Sequence, residues 1–454
     1  MFINKFNFCF IKSVEKRLFF NATIRNNEVL TFMAFLDMFN FLKSIMAPMI
    51  SLFILILGNG FLMTLVPLRA DLEGFSSETM GYLAAAYFGG MLLGALKINK
   101  VIEGVGHVRA FAFFASVISI LTLLQGLFVN PLFWIIARFL FGLCMAGIFV
   151  TIESWLLVQS SIKMRGIALS IYMTIFYAAQ SASQLFLGIF DLHSLLPFCF
   201  IVILASLSVL PVTIIKTKAP IVHEHSILSP IKLFKLSPLA LIAAIFSGLI
   251  LGPIYGLLPI YAQTANYSTH QTSLVMGTII FGGLAFQWPI GAFSDRTDRR
   301  KVLLFSSVLA CLLALFVCLF PQMSFSLFLI FSTLLGGFCF VLYPLSVSHA
   351  CDLVDSKELV AATGAVLFSY GIGSIIGPIL ASYSMKMFGG IALFYFLFIN
   401  ASLLAAITFI RIVAKTQVPP EEKLHYSNMP RSTPVAYELD PRIEESSDKE
   451  KKPH

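Results

Sequence analysis

The sequence predicts an all-α polytopic membrane protein in which twelve transmembrane helices form two pseudo-symmetric six-helix bundles. Three observations lead to this prediction. Of the 454 residues, 58% are hydrophobic and 12% are charged, whereas soluble domains carry about 25% charged residues. Apolar runs of membrane-spanning length alternate with short polar turns. Residues of the first half also recur in the second half at a constant offset.

The apolar runs begin at Ala47. An α-helix needs about 20 residues to cross the hydrocarbon core of a bilayer. The twelve runs that meet this length are 47–69, 78–97, 108–128, 131–157, 164–189, 194–215, 237–262, 271–294, 302–320, 324–349, 359–386 and 389–412.

The remaining segments divide the chain into domains. Residues 47–215 and 237–412 would form the two bundles, joined by a polar cytoplasmic linker at 216–236. Residues 1–46 would be a cytoplasmic extension, either an amphipathic surface segment or the product of a misassigned start codon. Residues 413–454 are rich in Pro, Glu and Lys, so we expect a disordered cytoplasmic tail.

Cations cluster on one side of the predicted bundle. The joins after the even-numbered spans hold most of them, and the opposite joins carry only Arg69 and Lys386. Because cytoplasmic loops are enriched in Lys and Arg, both termini should be cytoplasmic. The net charge of +8 is therefore explained by topology, and we expect contact with membrane lipid and not with nucleic acid.

The two predicted bundles share residues at an offset of about 193 positions. Phe88-Gly89-Gly90 falls on Phe281-Gly282-Gly283, and Tyr177 falls on Tyr370. Glycine and phenylalanine are common in this chain, so one match alone carries little weight. Matches in several elements at one offset indicate a duplication.

A short charged turn follows the eighth span. Gly291, three residues, Asp295-Arg296 and then Arg299, Arg300 and Lys301 form its pattern. This pattern resembles the loop signature of major facilitator superfamily transporters, although that family usually has glycine at the position of Asp298. The equivalent turn in the first half is degenerate, with Glu103, Gly106 and Arg109.

The resemblance implies the fold predicted above and a mechanism in which two bundles alternately open a central site to either side. It implies no cofactor, a monomer and a multi-pass protein of the bacterial inner membrane. It also implies that both charged turns form a cytoplasmic gate. The strings Gly106 to Phe111 and Glu153 to Leu156 are similar to the YcaD-type bacterial permeases.

The fourth span holds two ionisable residues, Arg138 and Glu153. Such residues within a span are costly unless they are paired or face water. Arg138 lies about 10 Å along the helix from Pro131 and Glu153 about 33 Å. Arg138 could bind an anionic or zwitterionic substrate or serve proton coupling. Glu153 could pair with Arg109 or Arg165, or carry a proton.

Uncharged polar and aromatic residues within spans could line a substrate cavity or merely form hydrogen bonds between helices. Gln180 and Gln184 share a helical face, which favours a common role. The candidates are Asn59, Tyr177, Gln180, Gln184, Gln287, Trp288, Tyr343 and Tyr370.

These features favour a secondary active transporter of a small polar or amphipathic solute, coupled to protons. Symport and export by proton antiport, as in a multidrug or metabolite exporter, would use the same architecture. A transporter-like receptor is the alternative without transport. A membrane enzyme would need a clustered catalytic set within the spans, which the sequence lacks. It also lacks a P-loop, so we expect no ATP-driven pump.

Overall fold

The structure is a computed structural model that describes residues 3–161, 164–214, 233–234, 236–354, 358–414, 424–440 and 442. Side chains are described from Met38 onward, apart from those of residues 99, 100 and 103. The helices are α1 (Ile3–Leu72), α2 (Ser77–Lys97), α3 (Asn99–Val105), α4 (His107–Leu127), α5 (Pro131–Gln159), α6 (Arg165–Ala182), α7 (Leu196–Leu207), α8 (Val209–Thr213), α9 (Pro238–Thr264), α10 (Thr269–Arg296), α11 (Arg299–Leu319), α12 (Phe325–Phe340), α13 (Leu342–Cys351), α14 (Leu359–Phe388) and α15 (Ala392–Ala414), with 3₁₀ helices at Ser183–Gly188 and Pro434–Leu439.

The chain separates into two compact units, Met1–Ala47 and Pro48–His454. Among the described residues, eleven helices are long and apolar enough to cross a membrane. They match eleven of the twelve predicted spans. The remaining prediction, 164–189, corresponds to α6 and the following 3₁₀ helix, which are not among the eleven. This region is more polar, and it includes Gln180 and Gln184, which are both buried inside the protein.

Two of the predicted spans are interrupted by a proline. The span Leu196–Thr213 divides into α7 and α8, and Phe325–Cys351 divides into α12 and α13. Each break comes four residues before a proline, Pro211 or Pro344. Proline has no N–H for the carbonyl four residues earlier. At the second break, the Nε2 of Gln287 donates instead to the carbonyl of Phe340, at 3.4 Å.

The closest helix contacts occur in two pairs, α2 with α5 and α10 with α12. A Cβ added at Gly90, Gly142, Gly282 or Gly336 would lie 1.9–2.0 Å from a carbonyl oxygen of the partner helix. Only glycine permits so close an approach of two backbones. The two pairs are about 193 residues apart in the chain, at the offset that the sequence repeat predicts.

The predicted linker 216–236 lies outside the described residues, except for 233–234 and 236. The tail differs from its prediction as a disordered segment. Residues 424–440 are described, and most of them are buried. They include Leu424, Met429, Val435, Tyr437 and Leu439, so this short stretch has enough apolar surface to pack against the helices.

Candidate functional site

A cavity lies among the helices, with a volume of about 610 Å³ when the open solvent space at its mouth is counted. Helices α1, α2, α5 and α6 supply one part of its wall, and α9, α14 and the tail supply the other. The lining residues are Asn59, Met63, Tyr87, Phe88, Met91, Phe149, Tyr172, Met173, Phe176, Tyr177, Gln180, Tyr255, Tyr370, Pro430, Arg431 and Ser432. Aromatic rings dominate this wall, with a few amide and hydroxyl groups among them, as is typical of sites for small organic molecules.

Four of the predicted cavity residues line this space: Asn59, Tyr177, Gln180 and Tyr370. Asn59 and Gln180 each present a buried side-chain oxygen without a hydrogen-bond partner among the described residues. Such oxygens are available to accept hydrogen bonds from a ligand. The cavity therefore combines apolar faces with unused acceptors.

The other four lie outside the lining. Gln184 bonds Thr64 and the carbonyl of Gly60 on α1, at 2.7 and 3.0 Å. Its side chain does not face the cavity as that of Gln180 does, because α6 ends at Ala182 and a 3₁₀ helix follows. The rotation per residue differs between these two kinds of helix. The alternative of interhelical hydrogen bonding thus describes Gln184.

Helix rotation also separates Gln287 from its neighbour Trp288. Gln287 is buried and accepts a hydrogen bond from the hydroxyl of Tyr426 at 2.8 Å. Trp288 is 81% exposed on the outer surface of α10, because successive helical residues point about 100° apart. Tyr343 is fully buried behind the lining, where its ring lies 5.0 Å from that of Tyr370.

Arg431 of the tail projects into the cavity. Its guanidinium carbon lies 4.9 Å from the ring centroid of Phe340 and 5.9 Å from those of Tyr177 and Tyr370. Its Nη2 donates a hydrogen bond to the hydroxyl of Tyr177. Guanidinium groups within about 6 Å of an aromatic centroid are attracted by the ring quadrupole. The wall therefore has faces suited to a cation.

Glu153 is fully buried on α5. It accepts hydrogen bonds from the hydroxyls of Tyr172, at 2.8 Å, and of Ser432 and Thr433 in the tail. The described residues contain no ion pair between Glu153 and the two expected arginines. Arg165 instead donates to the carbonyl of Glu438 at 3.1 Å, and Arg109 is exposed. Hydroxyl groups thus satisfy this carboxylate.

Arg138 is 3% exposed and lies beside the cavity wall. Its guanidinium carbon is 4.7 Å from the ring centroid of Tyr87 and 5.3 Å from that of Phe141. One amino group contacts the sulfur of Met63 at 2.8 Å. Its Nε and Nη1 have no hydrogen-bond partner among the described residues. Within the described part of the chain, aromatic faces and not an acid surround this charge.

The predicted gate turn after α10 is tied to the tail. Arg299 is 2% exposed, and its Nε lies 2.6 Å from Asp352, with Asp295 at 3.4 Å from its Nη1. The backbone N–H of Tyr426 donates to Asp295 at 2.6 Å. Burial raises the pKa of Asp352, and Arg299 acts in the opposite direction. Arg296, by contrast, is exposed.

Asp298 replaces the expected glycine for a local reason. Its side chain accepts from the backbone N–H of Arg300 at 3.0 Å and so caps the start of α11. The same carboxylate pairs with the Arg300 guanidinium at 2.8 Å. An N-terminal cap of this kind satisfies a backbone donor that a glycine could not.

The described side chains of the first-half turn make fewer contacts. Gly106 joins α3 to α4 at φ 83° and ψ 163°, a conformation that is nearly restricted to glycine. Next to it, His107 contacts the hydroxyl of Ser154 at 3.0 Å and stacks on Trp155. Arg109 is exposed, and the side chain of Glu103 lies outside the described residues.

The N-terminal end of α2 and the C-terminal end of α14 meet in a cluster of polar side chains. Lys386 pairs with Glu78, and the hydroxyls of Tyr82 and Tyr383 lie 2.6 Å apart. A Cβ at Gly81 would collide with Ser382. These contacts join α2 to α14.

A family model of the Major Facilitator Superfamily matches residues 49–282 and 240–437, which include every helix of the cavity wall. The chain belongs to this superfamily. Its curated relatives there include an uncharacterised MFS-type transporter of Enterobacter sp. (strain 638), 31% identical over 357 residues, which cover 78% of this chain and 91% of that protein. The uncharacterised MFS-type transporter YcaD of Shigella flexneri is 29% identical over 359 residues, with 79% and 93% covered.

Solved structures of a transporter share the fold. A mutant of the nucleoside transporter NupG matches with a TM-score of 0.70 at 14% identity, over 81% of this chain and all of that one. NupG itself matches with a TM-score of 0.66 at 15% identity, over 82% of this chain. The relatives and the solved structures are transporters and not enzymes, so the chain is a multi-pass membrane protein of a transporter family. The resemblance to YcaD-type permeases is confirmed.

The sequence analysis did not predict two parts of this candidate site. The tail residues Arg431 and Ser432 were absent from the prediction because the tail composition is polar. Its aromatic residues, Tyr426 and Tyr437, were the signal that part of it could pack. The pair of Glu78 and Lys386 was also missed, since the two residues are 308 positions apart.

Proposed function

We propose that this protein is a secondary active transporter that moves a small polar or amphipathic solute by alternating access, driven by protons. Two six-helix bundles would rock about the cavity, with α6 and its 3₁₀ continuation as the fifth crossing. One observation carries the proposal: helices from both predicted bundles line a single cavity, and the contacts of Glu78 with Lys386 and of Tyr82 with Tyr383 join α2 of one bundle to α14 of the other.

Alternating access needs interfaces between the bundles that can open at either end. Two interfaces have this character. Helix α2 packs against α14 through the cluster just described, and α6 with its 3₁₀ continuation packs against α10 through two hydrogen bonds. In these, the hydroxyls of Ser181 and Ser273 donate to the carbonyls of Gly277 and Gln184, at 3.0 and 2.7 Å. Few bonds would have to break for the outer ends to separate.

The orientation of the proposal follows the cations. The turn of Arg299, Arg300 and Lys301 would be cytoplasmic, as would both termini. With this orientation, the cluster of Glu78, Lys386, Tyr82 and Tyr383 would lie on the outer side and the tail on the cytoplasmic side. The contacts of both would then correspond to a conformation whose cavity faces the cytoplasm. In the outward-facing conformation, Asp295, Arg299 and Asp352 would contribute to the closed inner gate. The protein would reside in the bacterial inner membrane as a monomer.

Glu153 is the residue that we assign to proton coupling. It is a fully buried carboxylate, and the described residues provide it with hydroxyl partners and no cation. A carboxylate held in this way can accept a proton without breaking an ion pair. Ser432, one of its partners, lines the cavity, so the carboxylate would gain access to water when the tail leaves.

The test uses proteoliposomes incubated with a uniformly ¹³C-labelled metabolite extract under an inward proton gradient. Mass spectrometry then identifies the retained compounds. We expect at least one compound to accumulate well beyond one molecule per protein. Asp295→Asn should insert normally and accumulate less of it. Retention that never exceeds one molecule per protein would favour a receptor over a transporter.

Direction is decided by the same assay with the gradient reversed. A symporter accumulates its solute when the outside is acidic, and an exporter that works by proton antiport accumulates it when the lumen of an inverted vesicle is acidic. Normal accumulation by Asp295→Asn would remove this residue from the proposed gate.

A further inference from the structure

The wall that surrounds Arg431 has the composition of a cation-binding site. Three aromatic rings, those of Phe340, Tyr177 and Tyr370, lie within 6 Å of its guanidinium carbon. The hydroxyl of Tyr177 accepts one of its N–H groups, while Nη1 is buried without a hydrogen-bond partner among the described residues. Ring faces thus provide most of the recognition of this group.

The tail around Arg431 is held by both parts of the chain. Tyr426 bonds Gln287 and Asp295, on α10, and Ser432 and Thr433 bond Glu153, on α5. Pro430, Arg431 and Ser432 of this tail thereby form part of the cavity wall.

We infer that the cavity binds an organic cation with a planar guanidinium-like head, and that Arg431 of the chain's own tail occupies this site as an intramolecular competitor. The inference rests on the proposed function, because it names the substrate class for the same cavity. Release of the tail would expose the aromatic faces and Glu153 together. The tail then limits transport until a cation displaces it.

Arg138 is the observation that favours a different ligand, since two of its nitrogen atoms lack partners. Its guanidinium, however, lies against the rings of Tyr87 and Phe141. The cavity region therefore holds two guanidinium groups on aromatic faces, and neither of them pairs with an acid among the described residues. An anionic ligand is an outcome that the experiment below can detect.

The experiment measures binding to the purified full-length protein with three probes that share a ring: benzylguanidine, its neutral counterpart benzylurea, and benzoate. Thermal unfolding in detergent reports binding, and a saturating ligand raises the midpoint by about 2–3 °C. We expect benzylguanidine to bind Arg431→Ala with a Kd at least about tenfold lower than for the wild type, because the competitor is gone. Arg431→Lys keeps the charge but loses the planar group, so its Kd should lie between those of the wild type and Arg431→Ala.

Two further variants keep the test decisive. If Arg431→Ala fails to fold, Ser432→Ala with Thr433→Val loosens the tail through the loss of its bonds to Glu153. In the Arg431→Ala background, Phe340→Leu should weaken benzylguanidine by about 2- to 30-fold, the range of a cation–π contact, and leave benzylurea unchanged.

Several results would overturn the inference: equal Kd values for the wild type and Arg431→Ala, equal binding of benzylurea, a preference for benzoate, or no binding to any variant. The proposed function fails separately. If benzylguanidine binds but proteoliposomes never accumulate it, the protein does not transport this cation, and the proposed binding site is retained. If other solutes are accumulated and benzylguanidine does not bind, the binding site is wrong and the proposed transport function is retained.

Discussion

Single residues explain why the two charged turns of this chain look different. Asp298 caps α11 and pairs with Arg300, so a position that is glycine in the family pattern holds a carboxylate here. In the first turn, the glycine remains, because Gly106 has a backbone conformation that other residues rarely adopt. Backbone geometry thus explains the glycine in the first turn, and side-chain pairing explains the aspartate in the second.

Gly106→Ala should therefore destabilise the protein by about 1–3 kcal/mol through backbone strain alone. A Cβ at this position would meet nothing within 4 Å, so no steric clash contributes. Gly104→Ala is the matched control, since Gly104 is in helix α3 and is equally open. It should be neutral or stabilising by about 0.5–1 kcal/mol. Thermal unfolding of the two variants compares them, and equal midpoints would contradict the strain argument.

The buried pair of Arg299 and Asp352 gives a second prediction at this scale. Removing one partner leaves a charge unpaired in a buried site, so Arg299→Met should cost about 3–5 kcal/mol of stability. The double variant Arg299→Met, Asp352→Leu should lose less, because the buried carboxylate of Asp352 is removed together with its partner, and Asp295, the other acid beside Arg299, is 26% exposed. Chemical unfolding of the wild type, Arg299→Met, Asp352→Leu and the double variant measures the coupling. Additive losses would show that the pair does not act as a unit.

The helices are held together at glycines, two of which, Gly90 and Gly282, stand in the Phe-Gly-Gly strings of the sequence repeat. Gly90 and Gly142 allow contact between α2 and α5, and Gly282 and Gly336 do the same for α10 and α12. A membrane offers little hydrophobic driving force between helices, so close packing of this kind supplies much of their association. The repeat in the sequence is thus a repeat of helix contacts.

Two neighbouring glycines, Gly89 and Gly90, allow the effect of close helix packing to be distinguished from the effect of replacing any glycine in this helix. A Cβ at Gly90 would lie 1.9 Å from the carbonyl of Phe139, whereas at Gly89 the nearest atom is 3.8 Å away. Gly90→Ala should force α2 and α5 apart at a cost of about 1–3 kcal/mol, and Gly89→Ala should be tolerated. The yield of monodisperse protein and its unfolding midpoint measure the difference. A tolerated Gly90→Ala would contradict the close approach of these helices.

For the whole molecule, the position of Glu153 connects the tail, the cavity and the proposed coupling. Its carboxylate accepts from Tyr172 on α6 and from two tail hydroxyls. Any movement of the tail must therefore change the surroundings of this group. The sequence showed that an acid lay within the span, but its partners come from segments 19 and about 280 positions away.

Glu153→Gln should abolish the dependence of solute accumulation on the proton gradient. The amide keeps the size of the side chain but cannot exchange a proton, so a protonophore that reduces accumulation in the wild type should have no effect on the variant. Proteoliposome accumulation with and without the protonophore measures this. If the protonophore reduces accumulation equally in both proteins, Glu153 does not couple transport to protons and another residue must do so.

The sequence by itself determined the class of protein, eleven of the spans and the charged turns. These depend on local hydrophobicity, on length and on the distribution of cations, which a chain carries without its neighbours. Four of its cavity candidates, Asn59, Tyr177, Gln180 and Tyr370, line the cavity. Trp288 shows why others lie elsewhere, because a polar or aromatic residue in a span can face either way.

Only the tertiary structure decided which faces of the helices meet in the cavity and what occupies it. Those choices depend on helix rotation, on the proline breaks and on contacts between residues that are far apart in the chain. Arg431 stands 254 positions from Tyr177, and nothing near either residue in the sequence indicates the other. Local patterns can specify a span, whereas a site formed between spans requires the whole fold.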